Sequence, residues 1–476
     1  MSFAPFSFVI GAHLQYFGTG ETLMSYKVGM VSLGCPKNQV DAELMLHRIA
    51  SCSDMELCSD ENEADAVIIN TCGFIESAKA EAINTILEFC ESKKQTGRPA
   101  AVIATGCLSE RYREEMLREI PELDGVVGIG CNDKITEIIR RVAQKQTVSE
   151  FGKKTNLCME GGRLLTTPPY SAYLRIADGC DNRCSYCAIP SIRGPFRSRK
   201  MEDVLAEAVS LMQKGVTEIT LIAQDTTLYG KDLYGFLALP GLLTEMCKLD
   251  GIHWIRLLYC YPDCITDELL SVIAENPKIC RYMDIPFQHC SKDILRRMNR
   301  RGDKESLLEL IGKIRSRVPG ITLRTTLIAG FPGETEEQFA ELCEFVDEAK
   351  FDNLGCFAFC AEEGTPAYSM DGQIDEETKQ RRQDIIMQKQ CLISAERLKG
   401  YVGKTVEALT EYYDGQSGVM VCRGQKDAIE IDGKIFVRCG RDIGEGRYIN
   451  VKVTGSMDYD LTAVLSDWRD MDDNSQ

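Results

Sequence analysis

Three apolar runs in the first third of the chain each stop at a cysteine. Residues 28–33 run into Gly34-Cys35, residues 66–69 into Asn70-Thr71-Cys72, and residues 101–104 into Thr105-Gly106-Cys107. Each run is followed by a stretch with helical apolar spacing, at 40–50, 77–90 and 110–119. Strands that alternate with helices predict a parallel sheet. In such a sheet the loops at the carboxyl ends of the strands line one crevice. Cys35, Cys72 and Cys107 lie 37 and 35 residues apart, one strand-helix unit each, so the pattern brings all three to one edge. A single cysteine at a strand end is common as a small buried apolar residue. Three in phase predict a shared ligand site.

Residues 141–169 are polar and close on Thr166-Thr167-Pro168-Pro169, which reads as a linker. A second series follows, with strands predicted at 173–177, 218–223, 254–259, 281–285, 322–329 and 353–359. Helical patterns fall between them, for example at 202–214, 304–317 and 336–350. Six such units are too few for a full eight-unit barrel, so a partial, open TIM-like (βα)6 barrel is predicted. Residues 375–399 read as a charged helix. Short alternating segments then appear at 405–410, 418–422, 434–438, 448–453 and 460–465, which predict a small antiparallel β-barrel of OB type. The fold class is α/β with a small all-β unit at the end. Residues 1–23 are poorly patterned, with Met24 the expected start, and the acidic tail from Trp468 is expected to fray.

Composition sharpens this picture in one respect. The chain has 476 residues and an ordinary share of apolar and charged positions, but 22 of them are cysteine. Disulfide scaffolds of that density are short and secreted, whereas this chain is long and lacks a convincing export signal. A cytoplasmic protein with reduced thiols, some of them metal-binding, is the expectation. No stretch reaches the roughly 18 consecutive apolar residues of a membrane span. A net charge of −17 argues against a protein built to coat polyanions.

The densest chemistry is Cys180-Asp181-Asn182-Arg183-Cys184-Ser185-Tyr186-Cys187, just after the first strand of the second series. Three thiolates on one tight loop suit three irons of a cubane cluster, with the fourth iron left open. Zinc wants four protein ligands, and none of the four histidines of the chain lies near this loop.

A C-x3-C-x2-C loop after the first strand of a partial α/β barrel resembles the radical S-adenosylmethionine superfamily. An upstream three-cysteine α/β unit and a downstream small β-barrel make the chain similar to the methylthiotransferases, of RimO type. The segments that match are Ser32-Leu33-Gly34-Cys35-Pro36-Lys37-Asn38, Asn70-Thr71-Cys72-Gly73, Gly106-Cys107-Leu108-Ser109-Glu110-Arg111, the run from Cys187 to Arg199, Ala223-Gln224-Asp225-Thr226-Thr227, Gly330-Phe331-Pro332-Gly333-Glu334-Thr335, and Glu362-Glu363-Gly364-Thr365-Pro366-Ala367. The resemblance implies three domains: a methylthiotransferase domain at 26–142 with an auxiliary cluster, a radical S-adenosylmethionine core at 166–396, and a TRAM domain at 399–469. It implies two 4Fe-4S clusters, one on Cys180, Cys184 and Cys187 and one on Cys35, Cys72 and Cys107. The first binds S-adenosylmethionine and the second holds the sulfur that becomes the methylthio group. Two molecules of S-adenosylmethionine are used per turnover, and a low-potential donor of flavodoxin or ferredoxin type supplies electrons. The implied substrate is an aspartate of small-subunit ribosomal protein S12, with an adenosine of tRNA as the alternative.

Candidate cofactor contacts are Tyr186, which could pack on adenine, and residues at other strand ends. Gln224 and Asp225 follow the second strand, with Asp225 a candidate for ribose hydroxyls. Gln288 and His289 follow the fourth, and Gly330 and Gly333 follow the fifth, where glycine admits close backbone approach. The other 16 cysteines carry no metal assignment; Cys356 and Cys360 read as core filling. Charge bears on the substrate. From residue 400 onward there are nine basic and fourteen acidic residues, which suits a basic protein better than an RNA backbone. Residues 288–325 hold ten basic and four acidic residues, read as a solvated face that keeps the RNA alternative open.

Overall fold

The computed structural model describes residues 8–9, 25–60 and 63–466. Almost all of the 1–23 stretch, with Met24 and the tail from Trp468, lies outside the described residues.

The first third forms a seven-stranded sheet from β1 (Phe8–Val9), β2 (Tyr26–Ser32), β3 (Met55–Leu57), β4 (Ala66–Thr71), β5 (Ala101–Gly106), β6 (Gly125–Val127) and β7 (Val148–Glu150). The order is β1-β2-β4-β5-β6-β7, with β3 also on β2, and every pairing except β1 with β2 is parallel. Val28, Met30, Ile68 and Ile103 face one core, and Val31, Val67, Ile69 and Val102 face another. Burial of both faces is why these strands read as unbroken apolar runs. Helices α1 (Pro36–Ala50), α2 (Glu76–Thr96), α3 (Cys107–Tyr112), α4 (Glu114–Glu119) and α5 (Ile135–Ala143) cover the sheet.

Two expectations are corrected here. The helix expected at 110–119 is two short helices, broken at Arg113, whose φ of 44° ends α3 and starts α4. The stretch 141–169 is not a free linker, because it supplies the edge strand β7 and buries Arg163. Its polar side chains satisfy buried acids rather than water. Arg163 donates to Glu43 and Glu207, and Thr166 donates to Glu43.

The middle of the chain forms two parallel three-stranded sheets in sequence order. One holds β8 (Ser171–Arg175), β11 (Glu218–Ile222) and β12 (Trp254–Leu257); the other holds β13 (Tyr282–Asp284), β14 (Thr322–Ala329) and β15 (Asn353–Ala358). A bridge between Ile255 and Ile279 joins them into an open six-stranded half-barrel, as predicted. A short hairpin-like pair, β9 (Ala177–Asp178) with β10 (Arg197–Ser198), frames the loop between. Outward residues such as Leu174, Leu221, Leu257, Met283 and Leu327 pack under the helices. Inward residues Tyr173, Ile222, Trp254, Leu258 and Tyr282 form a different cluster. That cluster also contains Val40 and Leu44 of α1 and Leu409 and Ala428 from the end of the chain. The inside of the half-barrel is therefore filled from both neighbouring units.

The last unit is a closed barrel of β16 (Thr405–Asp414), β17 (Val419–Gly424), β18 (Ile435–Arg438), β19 (Tyr448–Ser456) and β20 (Leu461–Leu465). It is not wholly antiparallel as expected: β18 and β20 pair in parallel, which lets five strands close. Arg423 reaches from it to Glu218, at the amino end of β11, so the barrel docks on the bottom of the half-barrel. Burial opposes ionisation of Glu218, but Arg423 and Arg256 outweigh it and hold the carboxyl at about 2. Among the described residues no helix is long and apolar enough to cross a membrane.

Candidate active site

The three remote cysteines meet because β2, β4 and β5 are adjacent and in register, with Ser32 opposite Asn70 and Thr71 opposite Gly106. Cys35 caps α1, Cys72 follows β4, and Cys107 begins α3. Glycine beside each one permits the approach. A Cβ on Gly34 would lie 2.8 Å from Cys72 Cβ, and one on Gly73 would lie 2.7 Å from the Leu108 backbone. One on Gly106 would strike the Thr71 backbone. Asn38 ties the ends together. Its Nδ2 donates to the carbonyls of Leu33 (3.1 Å) and Thr71 (2.8 Å), and its Oδ1 accepts from Cys107 Sγ (3.4 Å). Burial pushes the Cys72 thiol up to about 12, with Cys107 and Cys35 adding to the rise. Burial likewise pushes Cys107 up to about 11.

The second triad is held within one loop. Cys180 follows β9 and Gly179, and its N–H donates to the Gly194 carbonyl (3.2 Å). The Cys187 N–H donates to the Cys184 carbonyl (3.0 Å), and Arg183 takes a φ of 50° to make the turn. The loop is pinned from the far side of the half-barrel, where Ser185 donates to the carbonyls of Met298 and Arg297. Arg300 Nη1 lies 3.7 Å from Cys184 Sγ, and its guanidinium stacks 4.4 Å from the Tyr261 ring centroid. Burial pushes Cys180 up to about 11 and Cys187 up to about 12.

The two triads share one region. Cys107 packs against Ala188 and Ile192, which follow Cys187 directly. From that same turn, helix α6 (Ile189–Arg193), Arg193 reaches back across the boundary. It donates to Asn38 Oδ1 (2.7 Å), Asp41 (2.9 Å) and Asp178 (2.9 Å) and lies 3.5 Å from Cys107 Sγ. Arg175 joins Asp41 to Asp178 in the same buried network. On another side, Arg111 and Lys79 of the first unit both bind Glu362, just past β15.

Family models match in three consecutive places: Uncharacterized protein family UPF0004 at residues 27–128, the Radical SAM superfamily at 174–346, and the TRAM domain at 402–465. The chain is 48% identical over 444 residues to the ribosomal protein uS12 methylthiotransferase RimO of Pelotomaculum thermopropionicum, covering 92% of this chain and 99% of that one. It is 47% identical over 442 residues to the protein of the same name from Geobacter sulfurreducens, covering 92% and 98%. The chain belongs to the RimO methylthiotransferase family. It is thus a radical S-adenosylmethionine transferase, and two 4Fe-4S clusters and S-adenosylmethionine belong to that chemistry. The tRNA alternative is not favoured. Among solved structures it resembles the radical S-adenosylmethionine methyltransferase TsrM from Kitasatospora setae, with a TM-score of 0.53 at 15% identity, over 70% of this chain and 73% of that one. That likeness concerns the fold alone.

The residues fit the cofactors of a RimO-type enzyme. Among the described residues no three His, Cys, Asp or Glu side chains converge on a point where one metal ion would sit. A cubane makes no such demand, because each thiolate takes its own iron. Both amide atoms of Gln224 are buried without a hydrogen-bond partner, as expected of a side chain awaiting a polar ligand.

Other candidates look different from their expected roles. Asp225 is already engaged, accepting from Thr227 (2.7 Å), the Leu228 N–H (3.2 Å) and Asn182 (3.0 Å), so it braces the Cys180 loop. Tyr186 packs against Ile294, Met298, Phe331 and Phe359. Gln288 sits at φ 73°, with its backbone bridging to β14. His289 Nδ1 accepts from Ser291, and its Nε2 lies 3.4 Å from Glu334. The space beside Gly330 is filled by Lys379 and that beside Gly333 by Arg297, so these glycines admit side chains of this chain. The basic 288–325 stretch is only partly a solvated face, because Arg300 and Arg324 are buried. Cys356 is buried in the core as expected, while Cys360 lies beyond the end of β15 with Sγ 3.3 Å from Glu362.

Sequence reasoning missed Arg193 and Asp41. Arg193 stands inside one of the matching segments, where an unexplained charge was the available signal.

Proposed function

We propose that this protein transfers a methylthio group to the β-carbon of an aspartate in ribosomal protein uS12, in the cytoplasm. Cys180, Cys184 and Cys187 hold one 4Fe-4S cluster and Cys35, Cys72 and Cys107 the other. When bound, the first cluster with S-adenosylmethionine supplies the radical that breaks an unactivated C–H bond, and the second presents the sulfur. The chain does the rest. Its cysteine thiols give up protons as metal binds. Gln224 offers an amide to the polar end of S-adenosylmethionine. Arg193, Arg175, Asp41 and Asp178 clamp the first unit onto the half-barrel mouth, and Arg111, Lys79 and Glu362 clamp its other side. Both clamps fix the distance over which a substrate side chain must reach. A low-potential flavodoxin or ferredoxin is the electron donor.

The observation that supports this reading is the packing of Cys107 on the turn that follows Cys187, which brings the two triads into one region. The acidic stretch from residue 400 onward supports a basic protein substrate, and one of its nine basic residues, Arg423, is buried against Glu218. Mass spectrometry of uS12 from a strain lacking the gene tests the reading. Methylthio-aspartate is expected to vanish while methylthio-adenosine in tRNA stays. An unchanged uS12 signal would overturn the substrate.

A further inference from the structure

Lys37 is out of place by every ordinary rule. It is 7% exposed, in the first turn of α1, two residues after Cys35. A cation at a helix N-terminus opposes the helix dipole, and a buried cation is costly without a counter-charge. Among the described residues its ammonium has no hydrogen bond and no ion pair. Nζ lies 3.2 Å from the centroid of the Tyr259 ring, and Cys35 is the largest favourable charge beside it.

The neighbouring carboxylates are taken. Asp284 accepts from Arg324 (2.9 Å) and from the Tyr259 N–H (3.2 Å). Asp41 accepts from Arg175 and Arg193. Asp178 accepts from the same two arginines on one oxygen, and its other oxygen, without a hydrogen bond, lies 3.9 Å from Arg197. Arg193, Arg175 and Arg324 all have acidic partners, and Lys37 alone among these cations has none. Tyr259, two residues past β12, holds its ring there from a φ of 60°, a conformation costly for an aromatic residue. Both Cys35 and Tyr259 are only half-buried, so this spot is partly open. Among the described residues no carboxylate pairs with this ammonium.

We propose that the Lys37 ammonium binds the side-chain carboxylate of the substrate aspartate, with Tyr259 holding the ammonium in place. This rests on the reading above that the substrate side chain is an aspartate. It makes Lys37 a specificity-determining residue: the carboxylate is anchored beside the Cys35 triad, and the adjacent β-carbon is held there.

The test uses the full-length protein with both clusters reconstituted anaerobically. Affinity is measured for uS12 and for uS12 whose target aspartate is changed to asparagine. The native enzyme is expected to prefer the aspartate form by about 30-fold or more, the cost of losing one partner of a desolvated charge pair. Lys37→Met is expected to bind both forms alike, with unchanged iron content, and Lys37→Arg to restore most of the preference. A Lys37→Met enzyme that keeps the full preference would overturn the assignment of Lys37 alone. If Lys37→Met loses iron, Lys37→Gln is measured in the same way and the same two outcomes decide. A native enzyme that binds and modifies neither form of uS12 would instead overturn the substrate reading, and Lys37 with it.

Discussion

The two cysteine triads reach the same region by opposite routes. The Cys180 triad lies within eight residues, turned by one left-handed residue and steadied by contacts to Met298, Arg297 and Asp225. The Cys35, Cys72 and Cys107 triad spans 73 residues and exists only when three parallel strands are in register. Its closeness depends on absent side chains at Gly34, Gly73 and Gly106 and on the single side chain of Asn38. The local site is thus a property of a loop, and the remote one a property of a fold. Their relation to each other depends on docking, through Arg193 and Glu362.

The sharpest way to break this comparison is to remove each triad. Changing Cys180, Cys184 and Cys187 to alanine should abolish 5′-deoxyadenosine release from S-adenosylmethionine. Changing Cys35, Cys72 and Cys107 should spare that release and abolish methylthio transfer, as assayed on uS12. Equal loss of release in both variants would mean that the sites are not separable.

A smaller blow tests the remote site through its backbone. Gly106→Ala keeps all six cysteines but places a Cβ on the Thr71 backbone at a φ of 96°. We expect a loss of about 3 kcal/mol in stability and of the remote cluster's iron, with 5′-deoxyadenosine release retained. Full iron content in this variant would show that the strand ends have room to spare.

The mildest effect comes from the far end of the half-barrel, which neither triad touches. Glu218 is held at about 2 against an ordinary 4.5. Its ion pairs with Arg423 and Arg256 therefore stabilise the fold above about pH 4.5, and that contribution fades as pH falls toward 2. The contribution is roughly 3 kcal/mol. Glu218→Gln should flatten the acid limb of the stability-against-pH curve by about one proton while leaving iron content at neutral pH unchanged. An unaltered acid limb would remove Glu218 from the account.

Much of this was legible in the sequence because the relevant signals are periodic. Apolar runs ending in cysteine at one strand-helix spacing located the remote triad, and the short spacing of the Cys180 loop located the other. The partial barrel and the terminal β-barrel followed from strand count. What stayed hidden was set by tertiary contact. Asp225 carries a side chain suited to ribose, but Asn182 and Thr227 occupy it, and no pattern along the chain announces that. Gly330 and Gly333 signalled close approach correctly, yet the approaching groups are Lys379 and Arg297. The polar 141–169 stretch looked like linker because its charges serve Glu43 and Glu207, which are distant in sequence.

The central claim is that two separate three-cysteine sites each carry a four-iron cluster. Iron and sulfide content of anaerobically reconstituted protein tests it most directly, in the native chain and in each triple-alanine variant. The account predicts about eight irons per chain, falling to about four in either variant. A native chain with about four irons, or a variant that keeps all eight, would contradict it.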